Sequence, residues 1–135
     1  MTKVKFVVPT AVNTSDFQPL PPGQYTGKLV EVRPTTIRSG RHEGKGSIDV
    51  AVQMEDGRYI WKVLPQFTPA QFKKLSEGDK TWVEMSTISF AKTFKITSDF
   101  DADALIGKSV VVLVGTHQSN GYGVQNSIVK FMKEV

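Results

Sequence analysis

The chain has 135 residues, a length that fits one domain with its own hydrophobic core and is short for two. It contains no cysteine, which excludes disulfides, thiolate metal sites and cysteine nucleophiles. Seventeen Lys and Arg against thirteen Asp and Glu give a net charge of +4, a mild preference for polyanionic partners. The early apolar run KVKFVV is too short for a signal-peptide core or a membrane span, so the sequence predicts a soluble protein of the cell interior that contacts no membrane.

The first segment, residues 1–22, is predicted to be an N-terminal arm, and residues 23–135 a single domain. The arm ends in QPLPPG, whose Pro21 and Pro22 cannot donate hydrogen bonds to a sheet, so regular structure is expected to start after Gly23. The next segment, QYTGKLVEVR, predicts a first strand that carries Lys28 and Arg33.

A basic loop, PTTIRSGRHEGKGS, follows the first strand. It carries Arg38, Arg41 and Lys45 against a single acidic residue, Glu43, and its glycines let the backbone approach a ligand closely. A run of charge is often only solvated, but a cationic loop between the first two strands of a β-barrel is well placed to meet phosphates. These three cations are therefore candidate nucleic-acid contacts.

The stretch SIDVAVQMEDGRYIWKVL predicts a β-hairpin, strands two and three. Ile48, Val50, Val52 and Met54 alternate with smaller or polar residues, which is typical of a strand with one buried and one wet face.

The turn of this hairpin decides which face its aromatic residues occupy. A two-residue Asp56-Gly57 turn, which the type I′ geometry favours, pairs Met54 with Tyr59 and Val52 with Trp61 and directs both aromatics into the core. Arg58, Ile60 and Lys62 then point outward. A three-residue turn reverses all of these faces and makes Trp61 a platform for base stacking. Arg58, Tyr59, Trp61 and Lys62 are all candidate ligand contacts.

The next segment changes from strand to helix patterning. TPAQFKKL predicts a short helix with Thr68 as N-cap and Pro69 at its first position, ending near Gly78. The run KTWVEMSTISFAKTFKI fits both helical and alternating patterns, and we interpret it as helix. The segment SDFDADALIGK predicts an acidic link between helix and strand. It does not predict a calcium site, because no glycine or glutamate follows its aspartates at the spacing of a calcium loop.

Two strands complete the predicted domain. SVVVLVGTHQ is a buried strand with Val110, Val112 and Val114 as core candidates, and VQNSIVKFMK is its antiparallel partner. The hairpin tip SNGYG between them carries Tyr122, an aromatic between two glycines and a further stacking candidate. The predicted order is three strands, a helical segment and two strands, which is a mainly β fold.

The motifs FQPLPPGQYTGKLVEV, the basic glycine loop, and DADALIGKSVVVLV with its glycine-tipped hairpin resemble those of phage-encoded single-stranded-DNA-binding proteins. The resemblance spans roughly Phe17 to Phe131 and rests on the order and spacing of short motifs. It implies a five-stranded oligonucleotide-binding (OB-fold) barrel with a helical segment between strands three and four. It also implies single-stranded DNA as ligand, a role in phage DNA replication or recombination in the cytoplasm of an infected bacterium, and replication or recombination proteins as partners.

No constellation of residues in the sequence supports catalysis, a cofactor or a metal site. His42 and His117 lack the spacing of a zinc site, and no serine elbow is present, so a non-enzymatic protein is expected. Two alternatives to single-stranded-DNA binding stay open. One is a non-enzymatic protein-interaction or virion-associated β-barrel, and the other is an RNA-binding protein of the same fold.

Overall fold

The computed structural model describes residues 18–119, 121 and 123–135. Most of the predicted arm, together with Tyr122, lies outside these described residues. The described chain is mainly β: one antiparallel sheet has the strand order β3-β2-β1-β4-β5. Its strands are β1 (Gly23–Thr36), β2 (Gly46–Met54), β3 (Tyr59–Pro65), β4 (Ser109–Ser119) and β5 (Gly123–Glu134). The predicted order of three strands, a helical segment and two strands is confirmed.

The first strand, β1, is long and pairs with two neighbouring strands. Its first part pairs with β4 between Gly23 and Lys28, and its later part pairs with β2 between Gly27 and Thr36. A β-bulge between Leu29 and Glu31 interrupts the second ladder. Because a bulge bends a strand and increases its twist, β1 can turn from one partner to the other.

The hairpin of β2 and β3 has a three-residue turn, so the favoured two-residue Asp56-Gly57 turn is wrong. The backbone N–H of Met54 donates to the carbonyl of Arg58 at 2.8 Å, and that of Gly57 donates to the carbonyl of Met54 at 2.9 Å. Gly57 has a φ of 93°, the left-handed conformation that follows a type I turn in three-residue hairpins. Val52 therefore pairs with Ile60, and Ala51 with Trp61.

The core lies on the inner face of the sheet. Val110, Val112 and Val114 are buried, which confirms the core prediction for β4. They pack with apolar residues of the other strands and of the helices, including Leu29, Val50, Val52, Ile60, Leu64, Phe90, Phe94, Leu105, Ile128 and Phe131.

The helical segment consists of short elements: α1 (Pro69–Lys73), α2 (Glu77–Val83), a π-helical turn (Glu84–Ile88), α3 (Ser89–Phe94) and, after a loop, α4 (Ala102–Leu105). The helical interpretation of the run from Lys80 is confirmed as far as Phe94, and the helix ends there because Lys95 adopts a left-handed φ of 57°. Thr68 caps α1 in a capping box with Gln71, as its sequence predicts. The predicted end near Gly78 is wrong, because Ser76 caps a new helix whose first turn contains Gly78.

The edge strands β3 and β5 share no hydrogen-bonded ladder in the described residues, so the sheet is not closed into the predicted barrel. The helical segment contacts both edges instead. The Thr87 hydroxyl donates to the carbonyl of Pro65 at the end of β3 at 2.6 Å, and the backbone N–H of Phe131 in β5 donates to the Ser89 hydroxyl at 3.1 Å. At these two points the helical segment occupies the edge, which limits pairing with other chains there. Among the described helices, none is long and apolar enough to cross a membrane.

Candidate nucleic-acid interface

The three-residue turn places a row of apolar side chains on the outside of β3. Alternate residues of a strand share a face, and Tyr59, Trp61 and Val63 are exposed by 58%, 46% and 40%. Ile60 and Leu64 occupy the opposite face, in the core. The outer face of strands β1 to β3, called here the aromatic face, therefore presents two large rings to solvent.

The register across β2 sets the neighbours of each ring. Tyr59 lies beside Gln53, whose other neighbour is Lys28 of β1. Trp61 lies beside Ala51, which is only 1% exposed. A methyl group at this central position leaves room above it, so larger side chains on both sides can approach one another.

Arg33 of β1, which pairs with Asp49 of β2, approaches Trp61 diagonally above Ala51. Its guanidinium carbon lies 5.2 Å from the centroid of the Trp61 ring, within the range of a cation–π interaction. Glu31 contacts the same guanidinium at 3.4 Å, with both side chains about half exposed. Trp61 and Arg33 therefore form a preorganised pair of an aromatic ring and a cation at the surface.

The basic loop between β1 and β2 is a folded turn. The backbone N–H of Ile37 donates to the carbonyl of Lys45, and that of Gly44 donates to the carbonyl of Ile37, both at 2.8 Å. Within it, Arg38 contacts Asp49 of β2 at 3.4 Å, and the Asp49 side chain is 10% exposed. Because Asp49 is on the outer face beside Val63, Arg38 extends the aromatic face at one end.

Arg41 and Lys45 turn toward the helical segment. Arg41 donates to Asp79 in the first turn of α2 at 2.9 Å, and the same carboxylate oxygen lies 3.0 Å from Nε2 of His42. The ammonium of Lys45 is 3.3 Å from Nδ1 of His42 and 5.5 Å from the centroid of the Phe67 ring. These contacts attach the loop to the helical segment and occupy two of its three candidate cations.

The pKa of Asp79 is lowered from its ordinary value of 3.8. The main cause is the hydrogen bond to His42, and the positive charge of Arg41 acts in the same direction. His42 also stacks against Trp82 at 6.3 Å and meets the edge of Phe67 at 5.0 Å. His42 therefore packs the loop against Phe67 and Trp82, and its bond to the Asp79 carboxylate joins the loop to α2.

Two of the candidate residues lie on the inner face, where the sequence prediction of their direction was wrong. The side chain of Arg58 is 14% exposed, contacts Asp56 at 2.7 Å and donates to Asn126 of β5 at 3.2 Å. Lys62 lies opposite Val50, on the side of Ile60 and Leu64, and burial lowers its pKa. Both stand apart from the aromatic face.

The structure thus brings part of the predicted site together. Lys28, Arg33, Tyr59 and Trp61 share the aromatic face, and Arg38 borders it. The sequence missed Gln53 as a polar neighbour of Tyr59 and missed Asp79 as the partner of the loop. Alternation along β2 indicates the first, but the second joins residues 37 and 38 positions apart and has no local signal.

No group of three or more His, Asp or Glu side chains in the described ranges is arranged to hold a metal ion. No protein-family model matches the chain, and no curated protein sequence matches it significantly.

Proposed function

We propose that this protein is a non-enzymatic single-stranded-DNA-binding protein that binds DNA across its aromatic face with little sequence preference. The observation that carries the proposal is the exposure of Tyr59 and Trp61 on one face with the Arg33 guanidinium 5.2 Å from the Trp61 ring. Every base has a face that stacks on an aromatic ring, and each such contact stabilises a single strand by about 1–3 kcal/mol whatever the sequence.

The strand arrangement supports an OB-type interpretation of the sheet. An OB-fold is a partly open five-stranded Greek-key barrel, and its ligand face is formed by strands two and three and the loops beside them. Here the order β3-β2-β1-β4-β5 leaves β3 and β5 as the two edge strands, and the hydrogen bond from Arg58, which precedes β3, to Asn126 of β5 brings the two edges near one another. The aromatic face is the outer surface of strands two and three.

Phosphate binding would come from the cations at this face. Lys28 and Arg33 are exposed on β1, and Arg38 stands at the border of the face. Neutralising phosphates releases condensed counterions, so affinity should fall as salt rises. The buried side of the sheet offers no comparable surface, because it is filled by the core.

The biological role follows from the resemblance of the sequence motifs. Within this proposal the protein protects single-stranded DNA during phage DNA replication or recombination in the host cytoplasm, beside other replication or recombination proteins. Two other functions are outcomes of the same test: an RNA-binding protein of this fold, and a protein-interaction or virion-associated module.

Fluorescence anisotropy with labelled oligo-dT, duplex DNA and single-stranded RNA of equal length tests the proposal. Saturable binding to oligo-dT, weaker for duplex and lost in Trp61→Ala, is the expected result. Stronger binding to RNA would favour the RNA-binding alternative. Binding to none of the three would reject the proposal and favour a protein-interaction module.

A further inference from the structure

A large open groove lies on a different part of the molecule, between the helical segment and the last residues of β5. Its volume is about 1140 Å3, above the roughly 300–1,000 Å3 of small-molecule pockets. The π-helical turn and α3 form one wall, and the C-terminal half of β5 forms the other. A cavity of this size and openness suits a segment of polypeptide better than a metabolite.

The groove concentrates positive charge. Five lysines line it, against Glu84 and Glu134, so its side chains carry a net charge of +3 in a chain whose total is +4. In the described part of the chain, one of the five has an ion-pair partner: Lys108 contacts Glu134 at 3.2 Å. The five residues, called here the lysine groove, are Lys92, Lys95, Lys108, Lys130 and Lys133.

Apolar side chains line the groove between the lysines. Met85 of the π-helical turn is 40% exposed, and Ile88 and Met132 are partly exposed. Methionine is flexible and polarisable and adapts to varied apolar partners. The groove therefore combines an adaptable apolar surface with four ammonium groups that have no ion-pair partner among the described residues.

We propose that the lysine groove binds an acidic, amphipathic peptide segment of a partner protein. Charge complementarity selects the acidic residues, and the exposed methionine surface selects the apolar ones. Single-stranded DNA fits less well, because the aromatic rings that line the groove, Phe94 and Phe131, are 8% and 3% exposed and cannot stack with bases. This site is separate from the aromatic face and is independent of the proposed function.

A fluorescein-labelled synthetic peptide of Glu and Leu, with Leu at helical i, i+3, i+4 and i+7 spacing, is the probe. The full-length protein should bind it with an affinity that falls as salt rises, and should bind a Lys/Leu peptide of the same pattern far more weakly. The double variant Lys92→Glu, Lys133→Glu should weaken binding by at least about tenfold. Met85→Ser should also weaken it, because the apolar contact is lost.

The matched control is the double variant Lys73→Glu, Lys74→Glu, which makes the same charge change on exposed lysines outside the groove. It should retain most of the binding. Melting curves report folding. If the Lys92→Glu, Lys133→Glu variant melts at a lower temperature than the wild type, the double variant Lys92→Gln, Lys133→Gln replaces it.

Three outcomes would overturn the proposal: no binding of the Glu/Leu peptide by the wild type, equal losses in the groove and control variants, or a groove that oligo-dT occupies in preference to the peptide. Trp61→Ala keeps the two sites distinguishable. It should reduce oligo-dT binding and leave peptide binding unchanged, so the proposal for one site can be rejected without rejecting the proposal for the other.

Discussion

The guanidinium of Arg33 lies 5.2 Å from the ring of Trp61, although these residues belong to strands β1 and β3, which β2 separates. Trp61 pairs with Ala51 of β2 and Arg33 pairs with Asp49, the preceding outer-face residue of β2, so the two side chains meet diagonally across β2 above the small methyl group of Ala51. A strand of DNA that stacks a base on Trp61 would therefore have a cation already in place for the adjacent phosphate.

Trp61→Ala should weaken binding to oligo-dT by roughly tenfold or more, since one stacking contact is worth about 1–3 kcal/mol. Its melting temperature should stay close to that of the wild type, because the ring is 46% exposed. Anisotropy titration and a melting curve provide both measurements. Ile106→Ala, which truncates a residue exposed by 41% outside the sheet, is the control and should leave affinity unchanged.

Arg33→Lys and Arg33→Ala separate charge from planar stacking. The lysine variant keeps the phosphate contact, so its slope of log affinity against log salt should match that of the wild type while its affinity falls modestly. The alanine variant should flatten that slope by about 0.7, the value for one phosphate contact on a single strand. Identical slopes for all three proteins would mean that Arg33 contacts no phosphate.

Gly57→Ala should destabilise the hairpin by about 1–2 kcal/mol, because the φ of 93° is costly for a residue with a Cβ atom. Gly78→Ala is the matched control with the opposite sign. It lies in α2, where a new Cβ would meet only Ser76 Oγ at 4.0 Å, so it should stabilise the fold by about 0.5–1 kcal/mol. Denaturant unfolding of both variants checks the pair, and equal losses of stability would contradict the turn geometry.

This hairpin shows where sequence reasoning reached its limit. The alternation of Ile48, Val50, Val52 and Met54 predicts β2 because only one of its faces is large and apolar. In β3 both faces carry apolar side chains, Tyr59 and Trp61 on one and Ile60 and Leu64 on the other. An Asp-Gly pair suits a type I′ turn as well as a type I turn followed by a left-handed glycine, so local sequence leaves the register open.

Sites formed by residues far apart in the chain could not be predicted from local sequence patterns. Lys92 and Lys133 line one groove although 41 positions separate them, and Asp79 reaches the basic loop from α2. Local cues did predict the helix cap at Thr68 and the buried valines of β4, because a cap and a β-branched run depend on near neighbours. Contacts between distant residues depend on how the elements pack.

Lys62→Met should stabilise the protein by about 0.5–1 kcal/mol at neutral pH, since it removes an ammonium group from the inner face. Burial lowers the pKa of Lys62 from its ordinary value of 10.5. Below this lowered pKa the amine is charged in both the folded and the unfolded states, and the cost of desolvating it is fully present.

As pH rises through the lowered pKa toward 10.5, the folded protein loses the proton first and that cost disappears. The stability advantage of Lys62→Met should therefore shrink with rising pH. Urea unfolding at several pH values measures it. Lys28→Met, which removes an exposed lysine from the same sheet, should show no such trend.

The basic loop offers the last prediction, because the structure gives its cations protein partners that DNA would have to replace. Arg41 donates to Asp79 at 2.9 Å, so a phosphate that binds Arg41 must compete with this carboxylate. Asp79→Asn removes the competing charge. If the loop borders the DNA path, this variant should bind oligo-dT more tightly at low salt and show a steeper salt dependence.

The competition also predicts coupling between the two residues. Arg41→Ala should weaken oligo-dT binding. Asp79→Asn should raise the affinity for oligo-dT less in the Arg41→Ala background than in the wild type, because it acts by freeing the guanidinium of Arg41. Asp99→Asn makes the same charge change on an exposed aspartate outside the loop and its contacts, and it controls for net charge.

Stability supplies a separate check on the contact itself. The lowered pKa of Asp79 means that its carboxylate stabilises the fold above pH 3.8 and that this contribution is lost as pH falls through the lowered value. The difference in melting temperature between wild type and Asp79→Asn should therefore be present at neutral pH and vanish in acid.

Equal oligo-dT affinities and salt slopes for Asp79→Asn and Asp99→Asn would place the DNA path away from the loop, and leave Lys28, Arg33 and the two rings of the aromatic face as its contacts.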